Sequence, residues 1–168
     1  MLIWYYNIIL ILKILKMKEF KSLNDILDFA INEETMAAEF YTALAAKMKH
    51  KQIKETFEQY AIEEMGHRAK LEAIKNGKGQ KFSETKVADM KIADYMVEVD
   101  EEKTNITYQE ALTIAMKKEK AAFRLYSDLA AATTDEVEKK LFLNLAQEEA
   151  KHKLRFEVEY DENILTEN

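Results

Sequence analysis

The chain of 168 residues contains no cysteine and no proline, and glycine occurs only three times. Without cysteine there can be no disulfide, no thiolate zinc site and no iron–sulfur cluster. The same lack fits a reducing compartment, so a cytoplasmic location is the expectation. Without proline, and almost without glycine, little interrupts a helix, which argues against a strand-and-turn fold. A basic excess is also missing. The net charge is -6 and the lysines and arginines are scattered among acids, so nothing resembles an electrostatic footprint for nucleic acid. What the chain does have is 48% apolar and 33% charged residues, a globular composition long enough for one domain with a real core.

Two stretches of this chain are copies of each other. One reads Glu63-Glu64-Met65-Gly66-His67, the other Glu148-Glu149-Ala150-Lys151-His152. In each, a Glu and a His three residues apart share one helix face. Each has a Glu thirty residues upstream, Glu34 and Glu119, and the offset between copies is 85 throughout: 34 to 119, 64 to 149, 67 to 152. Tyr41 and Tyr126, Leu44 and Leu129, Ala45 and Ala130, and Phe57 and Phe142 keep the same offset.

Hydrophobic periodicity places these residues on four helices. The first spans 22–49, with Ser22 and Asp25 at its start, and carries Glu34 on the stripe of Ile26, Ala30, Ala38, Tyr41 and Leu44. The second spans 51–76 on Ile53, Phe57, Tyr60, Glu64, Met65 and Leu71, and stops at Asn76-Gly77. A crossover of 77–106 follows, with a short helix near 86–97. The third helix, 107–133, opens on the capping-box pattern Thr107-Tyr108-Gln109-Glu110 and carries Leu112, Ala115, Glu119, Phe123, Tyr126 and Leu129. The fourth, 135–160, is capped near Thr133 or Thr134 and carries Val137, Leu141, Phe142, Leu145, Glu149, His152 and Phe156. Met36, Met48, Met65, Met90 and Met96 are expected as core filling. Residues 17–160 thus form one domain of two helix-pair repeats, followed by a polar tail, 161–168.

Residues 1–16 stand apart. Met1 to Leu12 is apolar except for Asn7. Twelve helical residues reach about 18 Å, short of a hydrocarbon core of about 30 Å. Positive charges follow the apolar run instead of preceding it, which does not suit a secretory signal. The segment is a mis-assigned start ahead of Met17, a packed or interfacial helix, or, least in keeping with its length, a membrane span.

Four carboxylates on apolar stripes need compensation, because an unpaired buried carboxylate costs several kcal/mol and neighbouring ones repel. Two divalent cations balance four negative charges with both histidines neutral. Carboxylate and imidazole ligands suit iron or manganese. Glu64 and Glu149 are the candidate bridges, with Glu34 and His67 completing one metal and Glu119 and His152 the other. Tyr41 and Tyr126 are expected either as hydrogen-bond donors or electron relays behind these ligands or as amphipathic core residues. Glu63 and Glu148, about 100° around the helix from the ligands, face the surface or stand behind them. His50 lies between helices and carries no assignment.

A Glu from each of two helices plus Glu-x-x-His from the other two marks ferritin-like di-iron and di-manganese proteins. The segments Ala30-Ile31…Glu34…Glu39-Phe40-Tyr41 with Glu64-x-x-His67, and Glu119…Tyr126 with Glu149-x-x-His152, resemble rubrerythrin-type ferritin-like proteins over residues 22–160. The resemblance implies an all-α, ferritin-like antiparallel four-helix bundle with a long crossover between the second and third helices. It also implies a di-iron oxidoreductase acting on peroxide or dioxygen, protective against oxidative stress, with electrons from a separate donor protein, as a homodimer. An iron-storage protein with ferroxidase activity and a membrane-associated di-iron oxidase are the alternatives. The chain departs from rubrerythrins proper in two ways. It lacks the Cys-x-x-Cys pairs of their rubredoxin-like domain, and Ala122 stands where they carry an extra carboxylate. The six-residue set is closer to bacterioferritin-type centres.

Overall fold

A computed structural model describes residues 20, 22–48, 51–77, 90, 92–97 and 106–162. The expectations for residues 1–16, for His50 and for the tail after Glu162 lie outside the described residues. Four helices carry the fold: α1 (Leu23–Lys47), α2 (Lys51–Asn76), α3 (Tyr108–Ala132) and α4 (Glu136–Tyr160). Within the described part of the crossover, the expected short helix is a single 3-10 turn, Ile92–Asp94.

Local chemistry sets the helix ends. The Ser22 hydroxyl accepts from the Asp25 amide at 3.1 Å at the head of α1. Thr107 and Glu110 form a reciprocal capping box at the head of α3. Gly77 ends α2, with its N–H donating to the Ile74 carbonyl at 3.0 Å. The head of α4 differs from expectation. Its cap is Asp135, whose Oδ1 accepts from the amides of Val137 at 2.9 Å and Glu138 at 3.1 Å. A carboxylate serves two otherwise unpaired amides at the positive end of the helix, which a hydroxyl does less well. Thr133 instead ends α3, its N–H bonded to the Leu129 carbonyl at 3.0 Å.

The helices pack as two hairpins, α1 along α2 and α3 along α4. Two apolar clusters fill the bundle. One holds Ile26, Leu27 and Ala30 of α1, Leu71 of α2, Leu125 and Leu129 of α3, and Phe142 and Leu145 of α4. The other holds Tyr41 and Leu44 of α1, Phe57 and Tyr60 of α2, Leu112 and Ala115 of α3, and Phe156 of α4. Chain order through these clusters fixes the direction of each helix. α1 and α4 run from the first cluster to the second, and α2 and α3 run the other way. The link from α2 to α3 must therefore travel the length of the bundle, which explains its length. Met90 and Tyr95 of that link pack into the first cluster. The Tyr95 hydroxyl donates to Asp128 at 2.8 Å and pins the link to α3.

The expected stripes hold in their middles and fail at their edges. Val137 is 78% exposed, Met65 46% and Phe123 43%. Val137 lies in the first turn of α4, ahead of the first core residue. Met65 is rotated about 100° from Glu64, and Phe123 sits one position past the inward-facing line. Met36 and Met96 are also exposed, whereas Met90 is buried.

These positions give a direct stability test. Asp135→Ala removes the α4 cap and is expected to cost about 1 kcal/mol, whereas Val137→Ala is expected to stay within about 0.5 kcal/mol of wild type. Denaturant unfolding of the metal-free protein measures both.

Candidate metal centre

Each helix interrupts its apolar stripe at mid-length with charged residues. On α1 the order is Ala30, Glu34, Ala38; on α2, Ala61, Glu64, His67, Leu71; on α3, Ala115, Glu119, Leu125; on α4, Ala146, Glu149, His152, Phe156. The interruptions fall at one level, so a polar layer lies between the two apolar clusters. None of the six residues is more than 3% exposed.

The layer has approximate twofold symmetry. His67 Nδ1 lies 3.0 Å from Glu64 Oε2, 2.7 Å from Glu149 Oε1 and 3.8 Å from Glu34 Oε2. His152 Nδ1 lies 3.2 Å from Glu64 Oε1, 3.6 Å from Glu149 Oε2 and 3.7 Å from Glu119 Oε2. Glu64 and Glu149 thus offer one oxygen to each side. Glu34, Glu64, His67 and Glu149 bring ligand atoms within 4.8 Å of one another, and Glu64, Glu119, Glu149 and His152 do the same.

The outer atoms of these groups are held by residues of the opposite hairpin. The Tyr41 hydroxyl of α1 donates to Glu119 Oε1 on α3, and the Tyr126 hydroxyl of α3 donates to Glu34 Oε1 on α1. Each tyrosine occupies one carboxylate oxygen and leaves Oε2 toward the centre. Burial, then the Glu119 charge, raises the Tyr41 pKa well above its ordinary value, so Tyr41 keeps its proton and acts as donor. On the other face, His67 Nε2 lies 2.8 Å from Glu148 Oε2, and His152 Nε2 lies 2.6 Å from Glu63 Oε2. A carboxylate on Nε2 keeps that nitrogen protonated and leaves Nδ1 as the nitrogen that faces inward. Glu63 and Glu148 thus have a specific role that helix phase alone does not reveal. The signal available in the sequence is that they share the 85-residue offset. Glu148 is further held by Lys70 at 3.0 Å, and Glu63 by the Gln59 amide at 2.8 Å. Tyr60 adds an edge contact to the His152 ring, 4.8 Å between centroids.

The metal-free layer is electrostatically uneasy. Burial and the neighbouring carboxylates raise Glu34 well above the usual carboxylate range. Burial raises Glu119 likewise, against the opposing influence of the nearby His152. Burial alone would make His67 less basic, but its close approach to Glu149 and its hydrogen bond with Glu64 push its pKa up to about 10. Glu149 is shifted down, because the close approach of both imidazoles outweighs its burial. Three inward atoms, Glu64 Oε1, Glu149 Oε1 and His152 Nδ1, are buried with no hydrogen-bond partner among the described residues. The short approach of His67 Nδ1 to Glu149 Oε1 therefore lacks hydrogen-bond alignment. Unpartnered oxygens on Glu64 and Glu149 and an unpartnered nitrogen on His152, set among two further carboxylates and a second imidazole, fit a pair of divalent cations.

The four-helix order, the lengthwise crossover and this buried carboxylate–imidazole layer define a ferritin-like bundle whose site fits a di-iron protein. The chain belongs to the rubrerythrin family, whose sequence profile matches residues 25–160. It is similar in structure to a Thermotoga maritima protein assigned as a ferritin-like diiron-carboxylate protein, with 23% identity over 86% of this chain and 97% of that one and a TM-score of 0.69. It is also similar to a hypothetical protein of Pyrococcus furiosus, with 27% identity over 84% and 89% of the two chains and a TM-score of 0.62. No curated protein matches the chain. No helix among the described residues is long and apolar enough to cross a membrane.

Two measurements test this electrostatic picture. In metal-free protein the His67 pKa is raised on folding, so its contribution is full below the unfolded value of about 6.5 and is lost as pH rises through about 10. The raised carboxyls Glu34 and Glu119 act in the same direction, losing their contribution as pH climbs past the ordinary carboxylate range. The melting temperature measured with chelator present should therefore fall from neutral to alkaline pH, and Glu34→Gln with Glu119→Gln should flatten that fall. Second, Glu63→Gln combined with Glu148→Gln should weaken metal affinity by about 10–100-fold without unfolding the chain, as read by competition with a chromophoric chelator.

Proposed function

We propose that this chain is a non-haem di-iron oxidoreductase of the rubrerythrin and ferritin-like group, using peroxide or dioxygen as oxidant and electrons from a separate donor protein. One observation carries the reading: two buried ligand quartets share Glu64 and Glu149, whose paired oxygens each face a different imidazole. Two Fe(II) ions held there would supply the two electrons that reduce the oxidant. Manganese suits the same donors.

The protein's own residues do the rest. Glu34 and His67 complete one position, and Glu119 and His152 the other. Tyr41 and Tyr126 hold Glu119 and Glu34 by their outer oxygens and so fix which oxygen points inward. Glu148 and Glu63 hold the imidazoles by Nε2. The apolar clusters above and below keep bulk water from the layer, which strengthens every charge interaction within it. The absence of cysteine supports an external electron donor, since the chain has no thiolate cluster of its own to relay electrons.

The test is metal content with a matched pair of variants. Wild type loaded anaerobically with Fe(II) is expected to bind about two ions per chain, as this ligand arrangement holds a metal pair. Glu34→Ala with Glu119→Ala should lose them while its helical circular dichroism and metal-free melting temperature hold or rise, because removing buried carboxylates relieves repulsion. Full occupancy in the double variant refutes the ligand assignment.

A further inference from the structure

The outer face of α4 does not look like a face made for water. Leu143, Leu154 and Val158 are 50%, 59% and 46% exposed. With Gln147 and Ala150 they recur every three or four residues, so they form one stripe along the helix, turned roughly 140° from the inward line of Glu149. Single exposed apolar side chains are ordinary, but a continuous row of them marks a contact surface. The row ends in charge, and its two ends differ in sign. Lys139 and Lys140 stand before it, Asp161 and Glu162 after it, and all four are exposed. Lys139 also approaches Glu136 of its own helix at 4.0 Å, an exposed pair of little worth.

This order is self-complementary. Leu143 lies as many residues before the Ala150–Lys151 bond as Val158 lies after it, and Gln147 and Leu154 are related in the same way. A second α4 laid antiparallel about that point therefore sets Leu143 against Val158 of the second copy and Gln147 against its Leu154. Lys139 and Lys140 then meet Asp161 and Glu162 of the second copy, at both ends of a seam of about 32 Å. A parallel pairing would set lysine on lysine and acid on acid, so the charges select the antiparallel, twofold arrangement. Ala150 beside the axis is small enough for the helices to approach closely. Lys151 lies at the rim, where its flexible stem can carry the ammonium out to water.

The first hairpin supplies an internal control. At the 85-residue offset the corresponding row on α2 reads Glu58, Ile62, Met65, Ala69 and Ala73. A glutamate stands for Leu143, and alanines stand for Leu154 and Val158. Lys54 and Glu58 pair along the helix at 3.7 Å, as on a solvated surface. Asn76 and Gly77 occupy the places of Asp161 and Glu162, so the acidic end is missing. The self-complementary pattern belongs to α4 and not to α2.

We propose that the outer face of α4 is the surface through which two copies of this chain pair, antiparallel and twofold. The inference stands apart from the di-iron reading, because no residue of the row belongs to the polar layer and each centre is complete within one chain.

The experiment uses the full chain, whose lack of cysteine makes the register directly readable. Sedimentation equilibrium is expected to show a dimer. Leu154→Glu, which sets a charge in the seam, should weaken pairing at least about tenfold with helical circular dichroism unchanged. Lys139→Glu with Lys140→Glu should weaken it as well, as should Asp161→Lys with Glu162→Lys, and a mixture of these two charge variants should recover pairing as a mixed dimer. Under mild oxidation Leu143→Cys should cross-link to Val158→Cys, and neither should cross-link to itself. Facing positions come within the roughly 7 Å that a disulfide spans, whereas the two copies of residue 143 lie about 22 Å apart along the seam. Ile62→Cys, exposed on α2, should not cross-link. A full chain that stays monomeric at about 0.1 mM, or a dimer that Leu154→Glu leaves intact, overturns the proposal. So does a Leu143→Cys protein that cross-links to itself as readily as to Val158→Cys.

Discussion

Mutual repulsion among four buried carboxylates is the constraint on which the rest of this molecule turns. Glu34, Glu64, Glu119 and Glu149 are almost wholly removed from water, where an unpaired charge costs several kcal/mol and each neighbour of the same sign adds to that cost. Without metal, burial and mutual repulsion favour protons on Glu34 and Glu119, and the surrounding carboxylates favour charged histidines. Such an arrangement leaves buried lone pairs unmatched. A sequence under selection for stability alone would place apolar residues at these positions, as it does within two turns on either side. The apolar clusters on both sides supply the stability that lets the polar layer persist.

The layer also determines how the two hairpins recognise each other. α1 packs along α2 and α3 along α4, yet the specific polar contacts run between hairpins. Tyr41 reaches Glu119, Tyr126 reaches Glu34, Glu148 reaches His67 and Glu63 reaches His152. Neither repeat can complete its half of the centre unaided. This reciprocity accounts for the 85-residue offset at the centre, while some surrounding positions differ between the repeats. Tyr60 packs on His152, for example, but its repeat equivalent is Leu145. The two halves of the centre are therefore similar without being identical, and the Glu33–Lys118 pair adds a charge asymmetry on the opposite face.

The legible parts of the sequence were those governed by short-range periodicity. The helix centres, the Ser22 and Thr107 caps and the inward placement of Glu34, Glu64, His67, Glu119, Glu149 and His152 follow from spacing within a single helix. The places where the reading slipped share a physical cause. Val137, Met65 and Phe123 lie at the ends or edges of stripes, where periodicity tolerates either orientation and the position of neighbouring helices decides. Asp135 displaced the threonines as the cap of α4 because capping depends on which side chain can reach two amides at once. Glu63 and Glu148 sit at phases that a single helix exposes to water. Only the opposite hairpin turns them into partners for histidine.

By itself, then, the sequence determined the number of helices, the presence of a crossover and the chemical character of one inward-facing layer. Those properties are set by residue type at a fixed angular repeat, and the repeat is a property of the helix alone. The tertiary structure decided the rest: which nitrogen of each imidazole faces inward, and which oxygen each tyrosine occupies. Each of these depends on distances between residues far apart in the chain, and such distances exist only once two hairpins have met.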